Sequence, residues 1–268
     1  MRMTLGYRDE DGARLASLLW EFGPGWRMIS SAMLGGGIGP REWVLNAQVI
    51  GAYARMDPLD HLAELAPEGA GAGVGMLTAA SVDRYVQASD GGVEAVATVG
   101  LRVPTWAASP EGRTDPELRP ALVDPAPLDP AQLDPASLDP AQLDSAQLDS
   151  APLDSAPSGF PAPGTINIIV AVPVPFTDAA LVNAVMTVTE AKTQALIEAG
   201  FQCTGTASDA VCVAVRDGGV GGGQGDGPGD GTGELFGGPR SIWGARIARA
   251  VHQAVLAGAR HWTATHLG

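Results

Sequence analysis

The sequence is poor in cysteine and in positive charge, and each shortage excludes a class of protein. Two cysteines in 268 residues, Cys203 and Cys212, cannot build a disulfide framework, and we expect both thiols to be reduced and buried. No spacing of cysteine and histidine fits a zinc site. The 16 Lys and Arg stand against 30 Asp and Glu, a net charge of −14, which offers no basic surface for nucleic acid or anionic lipid.

Long apolar runs are missing as well. No stretch approaches the roughly 18 uninterrupted apolar residues of a transmembrane helix. Residues 1–11 contain acidic side chains and no apolar run, so a signal peptide is not expected and a cytoplasmic protein is. The sequence also has no Walker loop, no dinucleotide-binding glycine spacing and no Gly-x-Ser-x-Gly elbow.

What the sequence does have is a repetitive acidic segment at residues 108–163, with ten acidic and two basic residues. The unit Ala-x-Leu-Asp-Pro/Ser recurs there every five residues, as at 131–135. One Leu per unit cannot bury enough apolar surface to offset the ordering entropy, so we predict a disordered insertion. A functional repeat is the alternative. Residues 217–233, mostly Gly with Asp, are predicted to form a flexible loop.

Residues 1–107 and 164–268 carry the strand and helix patterns. We predict an α/β or α+β fold in which the two segments together make a single mixed-sheet domain with flanking helices, interrupted by the insertion. The predicted helices begin at Asp57, with Pro58 at the first position, and span 178–199, ending before Gly200, and 241–257. The predicted strands cover 14–21, 27–31, 73–78, 93–99, 165–172 and 211–215.

A glycine-rich segment follows the second predicted strand. Ser31 is followed by Gly35, Gly36 and Gly37, and three consecutive glycines leave backbone N–H groups accessible. Such a loop can hold an anion, or the oxyanion that forms during acyl transfer. An ordinary glycine-rich turn is the alternative.

Polar residues inside apolar segments are the next candidates. Asn46 lies within an apolar run and Asn167 within a predicted strand, where an amide either satisfies a structural hydrogen bond or binds another amide. In the helix predicted over 178–199, a narrow polar stripe forms either a pocket wall or the solvent face, with Lys192 on the opposite side from Glu190. The stripe consists of Asn183, Thr187, Glu190 and Gln194.

A loop with three hydroxyls and one carboxylate precedes the strand predicted over 211–215. Its polar side chains are Thr204, Thr206, Ser208 and Asp209. Loops held by a scaffold are where functional residues concentrate, and a turn capped by Asp209 is the alternative. Neutral amides and hydroxyls dominate the candidate positions, which favours a ligand rich in carboxamides over a phosphorylated one.

The sequence resembles the adenosylcobinamide amidohydrolase family through an ordered series of short motifs. Each motif is weak alone, and their order over residues 14–107 and 164–257 is specific. The motifs are Ser-Ser-Ala at 30–32, Gly-Gly-Gly at 35–37, Leu-Asn at 45–46, Gly-Met-Leu-Thr-Ala-Ala at 75–80, Gly-Thr-Ile-Asn-Ile at 164–168, Leu-Val-Asn-Ala at 181–184, Thr-Glu-Ala-Lys at 189–192, Thr-Gly-Thr at 204–206, Asp-Ala at 209–210 and Gly-Gly-Pro at 237–239.

The resemblance implies hydrolysis of the amide that joins a propionyl side chain of the corrin ring to aminopropanol. The product would be adenosylcobyric acid, which re-enters cobamide (vitamin B12) synthesis. The corrinoid is then the substrate and not a resident cofactor. The sequence identifies no metal ligands and leaves the metal requirement open, and a homo-oligomer is possible. A non-catalytic corrinoid-binding protein, or a scaffold that docks through the acidic repeat, is the alternative.

For the site, the resemblance implies a general base and a set of amide-binding groups. We expect Glu190 or Asp209 as the base, backbone donors from residues 35–37, and a Ser31 or Thr206 nucleophile as the alternative. The expected substrate-binding residues also include Thr78, Asn46, Asn167 and Asn183. Two departures stand out: Ser208 replaces a usual Thr, and the repeat separates residues 100–106 from the motif at 164–168.

Overall fold

The longest β-branched run in the chain forms a strand that is buried on both faces. In β10 (Ile166–Val172) all seven residues are buried, as expected for a strand covered on both sides. One face of the strand packs against the helices through Ile166, Ile168, Val170 and Val172. The other face packs against a second sheet through Ile169 and Ala171. The strand therefore lies in the middle layer of the fold.

The computed structural model of the chain describes residues 1–51, 53–111, 164–218 and 233–266, all within one compact unit. Most of the predicted insertion at 108–163 and of the predicted loop at 217–233 lies outside the described residues. The described helices are α1 (Pro58–Leu65), α2 (Asp178–Glu198) and α3 (Ile242–His266), with a short 3-10 turn at Val82–Arg84. The remaining strands are β1 (Arg2–Glu10), β2 (Ala13–Glu21), β3 (Trp26–Ser30), β4 (Gly37–Pro40), β5 (Trp43–Gln48), β6 (Gly73–Thr78), β7 (Val86–Asp90), β8 (Val93–Val99), β9 (Pro104–Thr105), β11 (Gly205–Thr206) and β12 (Ala210–Arg216).

The strands form two larger sheets and one short pair. The six-stranded sheet has the order β4-β3-β12-β10-β8-β7, and the four-stranded sheet has the order β1-β2-β5-β6. β10 with β12 and β5 with β6 are parallel, and the other pairs, including β9 with β11, are antiparallel. The predicted mixed class with flanking helices is confirmed.

Two main cores separate the layers. One lies between α2, α3 and the six-stranded sheet, and the other lies between the two sheets, where Leu18, Trp20 and Met76 meet Met28 and Cys212. Both cysteines are free and buried as expected. Burial raises the pKa of Cys203 to about 11 and that of Cys212 to about 12, so neither thiol ionises near neutral pH.

Both ends of α2 agree with the sequence signals, whereas the C-terminal end of α3 does not. Thr177 caps α2 by accepting from the Ala180 N–H, and α2 ends before Gly200, whose φ of +90° is left-handed. α3 continues to His266, beyond the predicted end at 257. Trp262 explains the extension, because its ring packs edge-on against Phe201 at 5.9 Å and holds the last turns on the fold.

The two segments on either side of residues 112–163 share one sheet. β8 from the first segment pairs with β10 from the second over the whole register from Ile166↔Val99 to Ala171↔Glu94. β3, also from the first segment, pairs with β12 from the second. Neither segment can complete the six-stranded sheet alone, and this supports the proposal that they make one domain.

We expect the fold to survive replacement of residues 112–160 by a short Gly/Ser linker, because the described strand pairings and both cores lie outside that range. Circular dichroism and thermal melting of the two proteins check this. The shortened chain should show the same spectrum after correction for length, and a melting temperature within a few degrees of the full chain. Loss of the cooperative transition would contradict the one-domain proposal.

Candidate functional site

The carboxylate of Asp209, between β11 and β12, is the most heavily hydrogen-bonded acidic group near the start of β10. Its Oδ1 accepts from the Ile166 N–H at 2.9 Å and from the Thr206 hydroxyl, and its Oδ2 accepts from the Thr206 N–H at 3.1 Å. Oδ2 also forms an ion pair with Lys192 of α2. Four donors occupy all the lone-pair positions of the carboxylate, which is only 10% exposed.

Local sequence makes this arrangement possible. Gly205 has no Cβ, and a Cβ there would collide with the Asp209 carboxylate and the Lys192 ammonium. Thr206 and Asp209 are three residues apart, which lets one turn supply both the backbone and the hydroxyl donor. Lys192 is the only lysine in the chain, and its side chain is 9% exposed.

Asp209 lies on the wall of a cleft of about 360 Å³. The cleft opens where the C-terminal ends of β3, β5 and β6 meet the N-terminal ends of β10 and β12, so both sheets contribute to it. Most of its wall is apolar. The lining residues are Ser31, Ala32, Met33, Val49, Ile50, Gly51, Tyr53, Met76, Leu77, Thr78, Ala79, Thr165, Ser208, Asp209 and Ala210.

The hydroxyls of the cleft are held by backbone and by each other. Ser31 Oγ accepts from the Val211 N–H at 3.0 Å, and Thr78 Oγ1 accepts from the Ala80 N–H at 3.0 Å. Thr165 and Ser208 share a hydrogen bond of 2.9 Å between their hydroxyls. A hydroxyl that accepts from backbone keeps its own proton for donation, so Ser31 and Thr78 can donate to a ligand oxygen.

The structure places Asn46 and Asn167 elsewhere, in the buried contact between the two sheets. Asn167 Nδ2 donates to Asn46 Oδ1 at 2.8 Å and to the Leu77 carbonyl at 3.1 Å, and Asn46 Nδ2 donates to Thr98 Oγ1 at 3.0 Å. Each Asn is 1% exposed, and neither lines the cleft. Oδ1 of Asn167 has no partner among the residues that the structure describes.

The polar stripe of α2 faces α3 rather than the cleft. Glu190 lies in a separate groove of about 320 Å³ that is also lined by Gln194, Arg249 and His252. Thr187 is buried and donates to the Gly237 carbonyl at 2.8 Å. Asn183 approaches the neighbouring residue, Gly238. Glu190 and Asp209, the two candidate bases, therefore line different depressions.

The three consecutive glycines lie beside the cleft and outside its lining. Gly35 has a φ of +71°, and a Cβ there would collide with the carbonyl of Gly73 in β6. Gly36 approaches the Ala32 carbonyl in the same way, and Gly37 begins β4. Close packing against β6 therefore accounts for Gly35, and the close approach of the Ala32 carbonyl accounts for Gly36. Ser31 is the residue of this segment that enters the cleft.

Several residues of the cleft were not found from the sequence. Thr165 and Ser208 line it from the motif at 164–168 and from the loop with three hydroxyls, but neither was proposed as a site residue, and Tyr53 belongs to no motif. For Lys192 a signal existed, since a chain with 16 basic residues and a single lysine uses arginine everywhere else. No comparable signal marked Tyr53, which lies in the connection between β5 and α1.

The described residues contain neither a metal-ligand cluster nor a membrane-spanning helix. Within the described ranges, no three His, Cys, Asp or Glu side chains come close enough together to hold a metal ion. Among the helices of the described part, none is long and apolar enough to cross a membrane.

We expect Lys192→Met to lower the free energy of unfolding by about 3–5 kcal/mol, because it leaves the buried charge of Asp209 without its cation. The double variant Lys192→Met, Asp209→Asn removes both charges and should recover a large part of that loss. Urea denaturation of the two single variants and the double variant measures the coupling.

Arg249→Met is the matched control, because the Arg249–Asp90 pair is more exposed, with Arg249 54% accessible. Its loss should be much smaller than that of Lys192→Met, because solvent screens an exposed ion pair. Equal losses for Lys192→Met and Arg249→Met would show that the Lys192–Asp209 pair is not buried in solution.

The comparison with known protein families bears on nearly the whole chain. The family model described as adenosylcobinamide amidohydrolase matches residues 3–266. The matched range includes both segments that build the six-stranded sheet and all residues that line the cleft. No curated protein gives a match to the chain.

Proposed function

The chain belongs to the adenosylcobinamide amidohydrolase family, and from that premise we propose that it cleaves the aminopropanol amide of adenosylcobinamide. The products are adenosylcobyric acid and free aminopropanol, and the reaction serves cobamide salvage. The corrinoid is the substrate in this proposal and not a resident cofactor.

One observation carries the proposal: the cleft brings together Ser31, Thr78, Thr165, Ser208 and Asp209 on an otherwise apolar wall. These residues come from both segments of the chain, and neutral hydroxyl donors suit an amide substrate better than a charged one. A cleft of about 360 Å³ is at the small end of the range for ligand sites. It accommodates the side arm that bears the amide, and the corrin ring then rests at the mouth.

The geometry suggests how the amide carbonyl is held. The hydroxyls of Ser31 and Thr78 keep their protons for a ligand oxygen, because both oxygens already accept from backbone N–H groups. Donors that are fixed before the reaction stabilise the oxyanion of the tetrahedral adduct without reorganisation. We assign the carbonyl oxygen of the scissile amide to these two hydroxyls.

For the attacking water, we assign Asp209 and not Glu190, because Asp209 is the acidic residue on the cleft wall. Its oxygens accept from two backbone N–H groups and Lys192, which stay in place, and from the Thr206 hydroxyl, which can rotate. Rotation of that hydroxyl frees one lone pair of Oδ1 for the proton of the water.

Purified protein incubated with adenosylcobinamide tests the reaction. We expect adenosylcobyric acid and aminopropanol in equal amounts, measured by liquid chromatography with mass spectrometry, both with and without a chelator. No release under varied pH and metal supply would overturn the proposal. Stoichiometric corrinoid binding without turnover would support the non-catalytic alternative.

We expect Asp209→Asn to reduce turnover by at least ~100-fold, because the amide cannot accept the proton of the water. Glu190→Gln makes the same chemical change in the other groove and should keep nearly the wild-type rate. Steady-state kinetics on adenosylcobinamide compares the two variants, and thermal melting verifies that Asp209→Asn remains folded. Equal reductions in both variants, or a selective loss in Glu190→Gln, would contradict the assignment.

A further inference from the structure

Three side chains form a hydrogen-bonded line that leads from the cleft to the end of β1. Tyr53 lines the cleft, and its hydroxyl lies 3.0 Å from Nδ1 of His61 in α1. Nε2 of His61 lies 2.9 Å from Oε1 of Glu10, the last residue of β1. The line therefore connects a phenol on the cleft wall, Tyr53, to the imidazole of His61 and then to the carboxylate of Glu10.

Further contacts hold the three side chains of this line in place. The His61 side chain is 2% exposed, and its ring stacks on the Tyr53 ring with centroids 5.7 Å apart and an interplanar angle of 17°. Arg8 donates to the second oxygen of Glu10 at 2.6 Å, and its other nitrogens donate to Ser17 and to the Gln48 carbonyl. One oxygen of the Glu10 carboxylate therefore contacts His61, and the other is fixed by Arg8.

The chemistry of the partners fixes the direction of each hydrogen bond. An ionised carboxylate only accepts, so Nε2 of His61 carries a proton toward Glu10. In the neutral ring Nδ1 then accepts from the Tyr53 hydroxyl. In the protonated ring Nδ1 donates to the Tyr53 oxygen, and the proton of the phenol is released to point into the cleft.

This inference rests on the proposed function: we propose that Tyr53 is the general acid that protonates the leaving amine. His61 returns a proton to Tyr53, and Glu10 positions His61. Amide hydrolysis needs such an acid, because an amine anion cannot depart from the tetrahedral adduct at neutral pH. Asp209 is already assigned to the attacking water, and we assign the leaving amine to a second group, Tyr53, because its hydroxyl lies within hydrogen-bond distance of the His61 ring.

In the adduct, the oxyanion re-forms the C=O bond while the C–N bond breaks, and its electron pair stays on nitrogen. The nitrogen takes the phenolic proton of Tyr53, and Tyr53 takes the proton from Nδ1 of protonated His61. The ring ends neutral, with its Nε2 proton still shared with Glu10. The carboxylic acid product and the protonated Asp209 each release one proton to solvent, and solvent returns one proton to His61 and one to the departed amine.

The surroundings of Tyr53 keep its proton in place between turnovers. Burial raises the pKa of the phenol above its ordinary value, so it is fully protonated at neutral pH. The other cleft hydroxyls with free protons, Ser31 and Thr78, accept from backbone N–H groups, and neither has a hydrogen bond to a ring or a carboxylate among the residues that the structure describes. Tyr53 is therefore the hydroxyl of the cleft that has a proton source behind it.

Changing the leaving group tests this role. The variant Tyr53→Phe is assayed on adenosylcobinamide and on the p-nitrophenyl ester of the same corrin side chain, whose leaving group departs as a stable anion. We expect turnover of the amide to fall by at least ~100-fold and the rate on the ester to match the wild type. Affinity for adenosylcobinamide, measured by spectral titration, should be unchanged.

Two further variants complete the test. His61→Asn can still accept from the Tyr53 hydroxyl but cannot pass on a proton, so it should show the same selective loss on the amide. Tyr85→Phe removes a phenolic hydroxyl at the edge of the core between the sheets, and should leave both rates unchanged.

A parallel loss on amide and ester in Tyr53→Phe, or an unchanged rate on the amide, would overturn the assignment of Tyr53 while leaving the proposed function standing. A wild-type protein that hydrolyses the ester but never the amide would instead overturn the proposed function and, with it, this inference.

Discussion

A carboxylate removed from water must find partners for its charge and for its lone pairs, and Asp209 meets that requirement with donors from three directions. They come from the first residue of β10, from the turn at Thr206, and from Lys192 on α2. The cost of leaving such a charge unpaired is several kcal/mol, so these elements are held together where the cleft opens. The same carboxylate thereby orders the wall on which the candidate chemistry takes place.

A second buried polar contact, between Asn46 and Asn167, lies between the two sheets and outside the cleft. Asn46 and Asn167 bond each other across the two sheets, and Thr98 and the Leu77 carbonyl complete most of their requirements. A buried amide pair of this kind specifies how two apolar sheets are aligned, because a shifted register would leave its donors unsatisfied. Leu77 also lines the cleft, so the alignment of the sheets sets the shape of the site.

The cleft itself depends on the topology. β5 and β6 are parallel and end together, whereas β10 and β12 are parallel and begin together at the same edge. Hydroxyls and a carboxylate that are far apart in the chain therefore meet around one apolar space. The line from Tyr53 through His61 to Glu10 reaches that space from α1 and belongs to the first segment of the chain. The turn that carries Asp209 belongs to the second segment. A site with separate groups for accepting and donating a proton is what amide hydrolysis requires.

The sequence by itself determined the class of the fold, most of its central elements and the family. The β-branched run of β10, Pro58 at the start of α1 and Gly200 after α2 act through local backbone preferences, and the ordered motifs span both segments. Short strands such as β4, β7 and β9 escaped prediction, since pairing and not local pattern creates them. Tertiary structure alone decided that Asp209 faces the cleft while Glu190 faces α3, and that Tyr53, His61 and Glu10 form one line. Helical and strand periodicity specify which side of an element a residue occupies, but not what the chain folds against that side.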